Sequence, residues 1–159
     1  MERRRKYSGY QPTENPKLCI KIFNRQSHLP VKISSIRKFV LYVLKKKRVS
    51  FQEVSVYLVG KKRMSALHEK FFKDPTPTDC LSFPLEQPFL GDIFVSPQVA
   101  IEYNPTAPYQ ETMLYILHGL LHLLGYIDTN KKDRDKMRKE EDRLIRLATI
   151  QQCILESPL

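Results

Sequence analysis

The sequence has few cysteines and no long apolar segment, and each of these shortages excludes certain classes of protein. Cys19, Cys80 and Cys153 are far apart and form no C-x-x-C pair, so the sequence predicts neither a disulfide framework nor a zinc ribbon. No pattern typical of a signal peptide begins the chain, and the apolar run at residues 113–124 is too short to cross a bilayer. We therefore expect a cytoplasmic protein in a reducing compartment, without a membrane partner.

The distribution of apolar residues predicts one α+β domain. At 159 residues the chain is long enough to bury a hydrophobic core, and it contains no repeat, low-complexity tract or interdomain linker. Residues 1–16 are basic and polar and are predicted to be a flexible tail, whereas residues 17–155 are predicted to form the domain. We expect a small mixed sheet of about four strands packed against helices, one of which is a buried metal-binding helix.

Alternation and helical periodicity place the elements of this domain. Strands are predicted over residues 18–23, 51–59, 80–84 and 92–96. A helix capped by Ser34 or Ser35 is predicted to end in the cations at 45–48, and a shorter helix to span 64–72. Beyond Pro97 we expect a briefly helical or irregular stretch, a loop at 104–108, a helix with two histidines from about Tyr109, and a final helix over 131–150.

Positive charge is in excess. Lysine and arginine together number 27 against 17 aspartates and glutamates, which gives a formal net charge of +10. The cations cluster at residues 3–6, 45–48 and 61–63 and along the final helix. One such cluster is usually a solvated face. Their sum favours a polyanionic partner, and nucleic acid, RNA or DNA, is the commonest one.

The segment from His118 to Asp128 has the spacing of a metal site. It reads H-x-x-x-H-x-x-G-x-x-D, and the other residues from 113 to 124 are apolar or glycine. Two histidines four residues apart lie on one face of a helix, so both imidazoles reach the same ion. Gly125 can adopt a positive φ and end the helix, which lets Asp128 fold back as a third ligand.

Such a ligand set predicts a catalytic zinc site. Three protein ligands leave the fourth position of a tetrahedral zinc ion to water, which indicates hydrolysis. One alternative is that the histidines are core residues bonded to neighbours, although a metal satisfies both imidazoles at once. Another is a zinc protease. Proteases of the H-E-x-x-H kind have a glutamate base directly after the first histidine, and here that residue is Gly119.

Three motifs follow one another in an informative order: Thr78-Asp79-Cys80-Leu81-Ser82-Phe83-Pro84, Gly91-Asp92-Ile93, and the segment from His118 to Tyr126. Together they resemble the YbeY family of bacterial metal-dependent endoribonucleases. The resemblance implies an α+β fold, one Zn²⁺ per chain, a cytoplasmic location, and RNA rather than DNA as substrate. It also implies cleavage of single-stranded RNA in rRNA processing, including 16S rRNA 3′ end maturation, and a role in ribosome quality control, with rRNA and ribosome subunits as partners.

Two positions depart from the family pattern. The family's third ligand is a histidine where this chain has Asp128, whose carboxylate oxygen binds zinc at nearly the same distance. The family also has an arginine in a pattern like N-x-x-Y-R, and the corresponding residues here are His68, Phe71 and Phe72. No cation lies at the position of that arginine, and the alternative is that Lys70 or Lys73 substitutes for it. The second departure favours an alternative function, that of a catalytically weakened, ribosome-associated RNA-binding protein with a structural metal.

Thr78, Asp79 and Ser82 are the remaining candidate site residues. Their polar side chains are predicted to hold a histidine N–H or to line the substrate groove. A capped turn leading into a strand explains the same three residues equally well. The reactive group is expected to be a zinc-bound water, so the prediction of chemistry depends on His118, His122 and Asp128 as metal ligands.

Overall fold

The computed structural model describes residues 18–49 and 53–159, and in this part of the chain four strands and five helices form. In chain order they are β1 (Cys19–Arg25), α1 (Ile33–Lys46), β2 (Glu53–Val59), α2 (Lys61–Phe72), β3 (Cys80–Pro84), β4 (Phe89–Val95), α3 (Pro97–Tyr103), α4 (Pro108–Leu123) and α5 (Lys131–Ile150). The predicted α+β class and small mixed sheet are confirmed. The predicted tail at residues 1–16 lies outside the described residues.

The sheet has the strand order β1-β2-β4-β3. Strands β1, β2 and β4 are parallel, and β3 pairs with β4 as an antiparallel edge strand. The central strand β2 has the sequence EVSVYLV and is largely buried. A nearly continuous apolar run is what a parallel strand covered on both faces requires. The sheet therefore has two faces to cover, and different helices cover them.

The main core lies on one face of the sheet. Val56, Leu58 and Ile93 belong to a single buried cluster with residues of α1, α4 and α5. Helix α1 contributes the stripe that its periodicity predicts, and all five of its members are fully buried: Ile36, Phe39, Val40, Val43 and Leu44. Burying one such side chain contributes about 1.5–3 kcal/mol. Helix α4 is held in the middle of this core.

Helix α2 packs on the other face of the sheet. Its Met64 and Leu67 form a separate small cluster with Val59 and Leu81. On the same side, an aromatic row crosses three strands, with ring centroids 4.8 Å apart between Phe23 and Tyr57 and 4.5 Å apart between Tyr57 and Phe94. Since successive residues of a strand point to opposite faces, this row and α2 lie across the sheet from α4.

The predicted serine cap of α1 is wrong. Helix α1 begins at Ile33, and its N-cap Lys32 makes no side-chain capping bond. Ser35 lies inside the first turn, where its hydroxyl donates to the Lys32 carbonyl at 2.7 Å and accepts from the Glu156 N–H at 3.0 Å. The distant C-terminal segment thus binds the hydroxyl that the sequence suggested as a cap.

Other boundaries differ by a few residues. Helix α2 begins at Lys61 instead of 64, because the Lys61 N–H is satisfied by the Gln98 side chain at 2.9 Å. Strand β4 begins at Phe89 instead of 92. The stretch after Ser96 is helical as α3, and the Ser96 hydroxyl accepts from the Val99 N–H. None of the described helices is both long and apolar enough to cross a membrane.

Candidate metal centre

Helix α4 carries both motif histidines on its half-exposed side. The rest of its circumference is anchored in the core by fully buried residues that include Leu117, Leu120 and Leu121. The side chains of His118 and His122 are 31% and 26% exposed. Because the two residues are one helical turn apart on a buried, regular helix, their rings are positioned by rigid backbone.

Gly119 lets α4 approach the sheet closely. A Cβ at this position would lie 2.6 Å from the Ile93 Cγ2 and 3.0 Å from the Cys80 Sγ, so a larger side chain does not fit without a shift. This contact explains a glycine in mid-helix, where it costs about 1 kcal/mol relative to alanine. It also means that the residue after the first histidine faces the sheet and cannot place a general base beside the two histidines.

The turn after α4 returns Asp128 to the histidines. Gly125 has a φ of +97°, and no atom of the described residues lies within 4 Å of an added Cβ, so conformation and not space selects glycine here. The Tyr126 N–H donates to the Leu121 carbonyl at 2.9 Å, which closes the helix end. The chain then reaches Asn130, whose side chain caps α5 by accepting from the Asp133 N–H at 2.9 Å.

Three side chains converge at this point. The Nε2 atoms of His118 and His122 are 3.0 Å apart. The Asp128 Oδ2 lies 3.6 Å from the first and 3.4 Å from the second. One ligand atom from each residue lies within 4.8 Å of the others, so the group is able to hold a metal ion. These are the three residues that the sequence motif predicts as ligands.

The outer nitrogens of both rings are fixed by acceptors. His118 Nδ1 lies 2.6 Å from the Glu141 Oε1, and His122 Nδ1 lies 3.0 Å from the Tyr126 carbonyl oxygen. A carboxylate and a carbonyl only accept, so each Nδ1 donates its hydrogen. Both Nε2 lone pairs then face each other and the Asp128 carboxylate. Three converging acceptors repel unless a cation lies among them, and a set of two imidazoles and one carboxylate suits a divalent metal such as zinc.

Glu141 controls the electrostatics of this site. Burial alone lowers the pKa of His118, but the hydrogen bond and charge of Glu141, together with the charges of Asp79 and Asp128, outweigh burial and raise that pKa. The Glu141 side chain is only 12% exposed, so its charge is weakly screened by water. Because the ring binds its proton more strongly, a metal ion competes with protons at this histidine.

Sequence reasoning missed Glu141. A signal was present, however, because Glu141 falls on the same helical stripe as Met137, Leu144 and Ala148, the three residues of α5 that are buried. A carboxylate in register with an apolar stripe is placed against the core, where it needs a hydrogen-bonding or charged partner.

A cleft of about 490 Å³ opens beside His118. Thr78 and Asp79 form part of its wall, and the Asp79 carbonyl is held by the Ser96 N–H at 3.1 Å. Ser82 lies within β3, paired with Ile93, and does not line the cleft. The histidine N–H groups are bonded by Glu141 and by the Tyr126 carbonyl, not by these residues. The cleft has ten lining residues: Pro77, Thr78, Asp79, Val99, Tyr103, Glu111, Leu114, Tyr115, His118 and Glu141.

Comparison with known proteins gives consistent similarities. The family model described as Endoribonuclease YbeY matches residues 21–148. The chain is 41% identical over 135 residues to the Endoribonuclease YbeY of Protochlamydia amoebophila, covering 79% of this chain and 90% of that protein. It is 34% identical over 142 residues to the Endoribonuclease YbeY of Chlamydia pneumoniae, covering 81% and 90%.

A solved structure is similar as well. The solution structure of TM1509 from Thermotoga maritima superposes with a TM-score of 0.56 at 27% sequence identity. The match covers 79% of this chain and 86% of that one. The similarity therefore extends over most of both chains.

Proposed function

This chain belongs to the endoribonuclease YbeY family, and on that premise we propose that it is a zinc-dependent endoribonuclease that cleaves single-stranded RNA. We propose ribosomal RNA as its substrate, with 16S rRNA 3′ end maturation and ribosome quality control as its roles. Ribosome subunits would then be its partners and the cytoplasm its location. The observation that carries the proposal is the convergence of two fixed imidazole nitrogens and the Asp128 carboxylate within 4.8 Å.

His118, His122 and Asp128 are the residues that would hold one zinc ion. When bound at such a site, zinc supplies Lewis acidity toward a phosphoryl oxygen and lowers the pKa of water. An aspartate in place of a third histidine makes the site less positive by one charge, which reduces that acidifying effect. Glu141 and the Tyr126 carbonyl hold the two rings in the tautomer and orientation that binding requires.

The cleft beside His118 is the proposed place of the RNA strand, and Thr78 and Asp79 are proposed to contact it. Among the described residues, the lining of the cleft includes Asp79, Glu111 and Glu141 and no lysine or arginine, so these charges repel phosphate. Attraction of RNA over longer range must come from the 27 lysines and arginines of the chain. Binding of RNA and cleavage of RNA thus depend on different residues.

The second candidate function is RNA binding without efficient cleavage. Phe72 favours it, because this residue occupies the position of the family arginine and its side chain is 54% exposed with no positive charge to offer a phosphate. In that case the metal would be structural. Metal content and cleavage, measured on the same preparation, separate the two functions.

The test compares wild-type protein with His118→Ala/His122→Ala and His122→Ala variants. We expect the wild type to hold about one zinc per chain, to cut a labelled single-stranded RNA, and to stop cutting when zinc is chelated. The double variant should lose the metal. The His122→Ala variant should still shift RNA in a gel, because the lysines and arginines are intact, but it should yield no cut product.

Three results would change the proposal. Full metal occupancy in the double variant would overturn the ligand assignment. A His122→Ala protein that cuts RNA as fast as the wild type would place the activity at another site or in a contaminant. A wild-type protein that holds zinc and binds RNA but cuts nothing would establish the second function instead of the first.

A further inference from the structure

Two phenylalanines at the end of α2 are exposed to solvent. Phe71 and Phe72 each show 54% of their surface, which is unusual for adjacent large apolar side chains. Beneath them lies Phe83 of β3, with its ring centroid 4.9 Å from that of Phe71 and 6.2 Å from that of Phe72. We call these three residues the aromatic patch. Phe83 in turn meets Phe94 edge-on at 5.8 Å, so the patch is supported by the aromatic residues of the sheet.

Cations lie along the helix that carries the aromatic patch. The Lys70 ammonium lies 5.3 Å from the centre of the Phe71 ring. Lys73 follows at the C-cap of α2. Within the described residues neither lysine makes a salt bridge, and the same holds for Lys62 and Arg63 at the start of the helix. Helix α2 has four cations, Lys61, Lys62, Arg63 and Lys70, against one acidic residue, Glu69, and Lys73 and Asp74 follow it, so the helix as a whole carries a net positive charge.

A short, internally bonded segment joins the aromatic patch to the cleft. Only five residues separate Phe72 from Thr78 in the cleft wall, so the two lie within about 20 Å of each other along the chain. The connection is held by hydrogen bonds: His68 Nδ1 to the Thr76 carbonyl at 2.9 Å, and the Thr76 N–H and hydroxyl to the Asp74 carboxylate at 2.9 and 2.6 Å.

We propose that the aromatic patch is a stacking platform for unpaired bases of an RNA strand that passes through the cleft at the metal centre. This inference rests on the proposed function, because it names where the same substrate is held. Exposed aromatic rings beside unpaired cations are the means by which proteins bind single strands without reading their sequence. A protein partner fits less well, because lysine is depleted in protein–protein interfaces and here it lies over the ring.

The experiment measures binding of a fluorescent single-stranded RNA to the full chain by anisotropy, in the presence of a chelator so that nothing is cut. The Phe71→Leu/Phe72→Leu variant keeps apolar volume and removes both rings. We expect its dissociation constant to rise about tenfold or more. The Phe71→Tyr/Phe72→Tyr variant keeps both rings and should bind as the wild type does. Binding of the matched RNA duplex, whose bases are already stacked, should be the same in all three proteins.

The salt dependence of RNA affinity distinguishes the contribution of the aromatic rings from that of the lysines. The leucine variant should bind RNA more weakly at every salt concentration, but the slope of log affinity against log salt concentration should be unchanged. In contrast, Lys70→Gln should reduce the magnitude of that slope by about one. Lys38→Gln is the matched control, since Lys38 lies on α1, outside the basic clusters named above, and its ammonium donates to the Gln152 carbonyl at 3.2 Å. It should change neither the affinity nor the slope as much as Lys70→Gln does.

The outcomes are distinct. Single-strand affinity that is equal in the leucine variant and the wild type, with both folded by circular dichroism, would overturn the platform. Equal weakening of duplex and single-strand binding would also overturn it, because stacking on unpaired bases would not be the cause. Sedimentation that shows a dimer in the wild type and a monomer in the leucine variant would assign the patch to a second copy. If the wild type cuts no RNA but all variants bind single-stranded RNA and duplex as expected above, the proposed function alone would be contradicted.

Discussion

Glu141 is the residue through which α5 acts on the proposed metal centre. Its carboxylate accepts from His118 Nδ1 at 2.6 Å across 23 residues of sequence, and its side chain is 12% exposed. Partners of this kind fix the ring orientation of a ligand and increase its basicity, and their loss typically weakens metal affinity 10- to 100-fold. The contribution is specific to position 141, because the neighbouring Glu140 bonds instead to Lys47 and Arg143.

We expect Glu141→Gln to weaken zinc binding by about 10- to 100-fold, measured by competition with a chromophoric chelator. Glu140→Gln is the matched control, because it removes the same charge one residue away without touching a histidine. Its zinc affinity should stay near that of the wild type. Equal losses in the two variants would mean that the general negative charge of α5 acts on the metal, and not the hydrogen bond to His118.

Asp128 is the most exposed of the three proposed ligands, with 43% of its side chain accessible. Asp128→Ala should weaken zinc binding without abolishing it, because two imidazoles and water remain as ligands. Asp128→His should retain the metal. The ratio of zinc to protein after gel filtration checks both variants, and an Asp128→Ala protein that binds zinc as tightly as the wild type would remove Asp128 from the ligand set.

At the scale of elements, the contact between α4 and the sheet determines where the histidines lie. Helix α4 meets β3 and β4 at Gly119, where an added Cβ would contact Ile93 and Cys80. A second close approach occurs at Gly91, where a Cβ would lie 2.6 Å from the Leu123 Cδ2. Gly119 thus allows the histidine helix to lie directly on the strands, whereas at Gly91 the nearest neighbour of an added Cβ is the Phe83 carbonyl oxygen of the adjacent strand.

Gly119→Ala should therefore destabilise the protein, although alanine is the better helix former. We expect a loss of about 1–3 kcal/mol in the free energy of unfolding from overpacking, opposed by a gain of about 1 kcal/mol in helix propensity. Urea denaturation of the wild type and the variant measures the net change in the free energy of unfolding.

Gly60→Ala serves as the control, because a Cβ there has no neighbour nearer than 3.7 Å. Its effect should be less than about 1 kcal/mol. A Gly119→Ala protein as stable as the wild type would show that α4 does not depend on this close contact.

At the scale of the whole molecule, an ion-pair network joins the end of α1 to α5 and to Tyr126 in the turn between α4 and α5. The Lys47 ammonium bonds the Glu140 carboxylate at 3.1 Å and the Tyr126 hydroxyl at 2.7 Å, and Glu140 also binds Arg143 at 2.6 Å. The Glu140 side chain is 15% exposed. The network joins segments that are more than ninety residues apart, Lys47 and Glu140 being separated by 93, so it reports on the folded state as a whole.

This network predicts a pH dependence of stability. The hydrogen bond from Arg143, with that from Lys47, lowers the pKa of Glu140 below its ordinary value of 4.5. A carboxyl group with a depressed folded-state pKa stabilises the protein above its unfolded pKa and loses that contribution as the pH falls through the folded value. The stability advantage of the wild type over Glu140→Gln should thus be constant near neutrality and shrink below about pH 4.5.

Urea denaturation across this pH range measures that difference. Asp142→Asn is the control, because Asp142 is exposed and makes no salt bridge among the described residues. The difference between wild type and Asp142→Asn should not change with pH in the same window. A Glu140→Gln difference that persists at low pH would mean that packing, and not the ionised carboxylate, stabilises this region.

Several features of the protein depend on local geometry and were predictable from the sequence. The i, i+4 spacing of His118 and His122 places both rings on one helix face whatever surrounds the helix. Gly125 marks the helix end because its positive φ disfavours any other residue, and the bounds predicted for α5, 131–150, are those observed. The α+β class follows from alternation and periodicity, which are also local properties.

Only the tertiary structure decided which distant groups meet. The strand order β1-β2-β4-β3, the partnership of Glu141 with His118, and the engagement of Ser35 by Glu156 all join residues far apart in the chain. Such contacts form because burial leaves polar groups in need of partners, and the partner is whichever group the packed helices bring within reach. The sequence by itself determined the pair of histidines and the helix that carries them, whereas packing against the sheet and α5 determined how their rings are held.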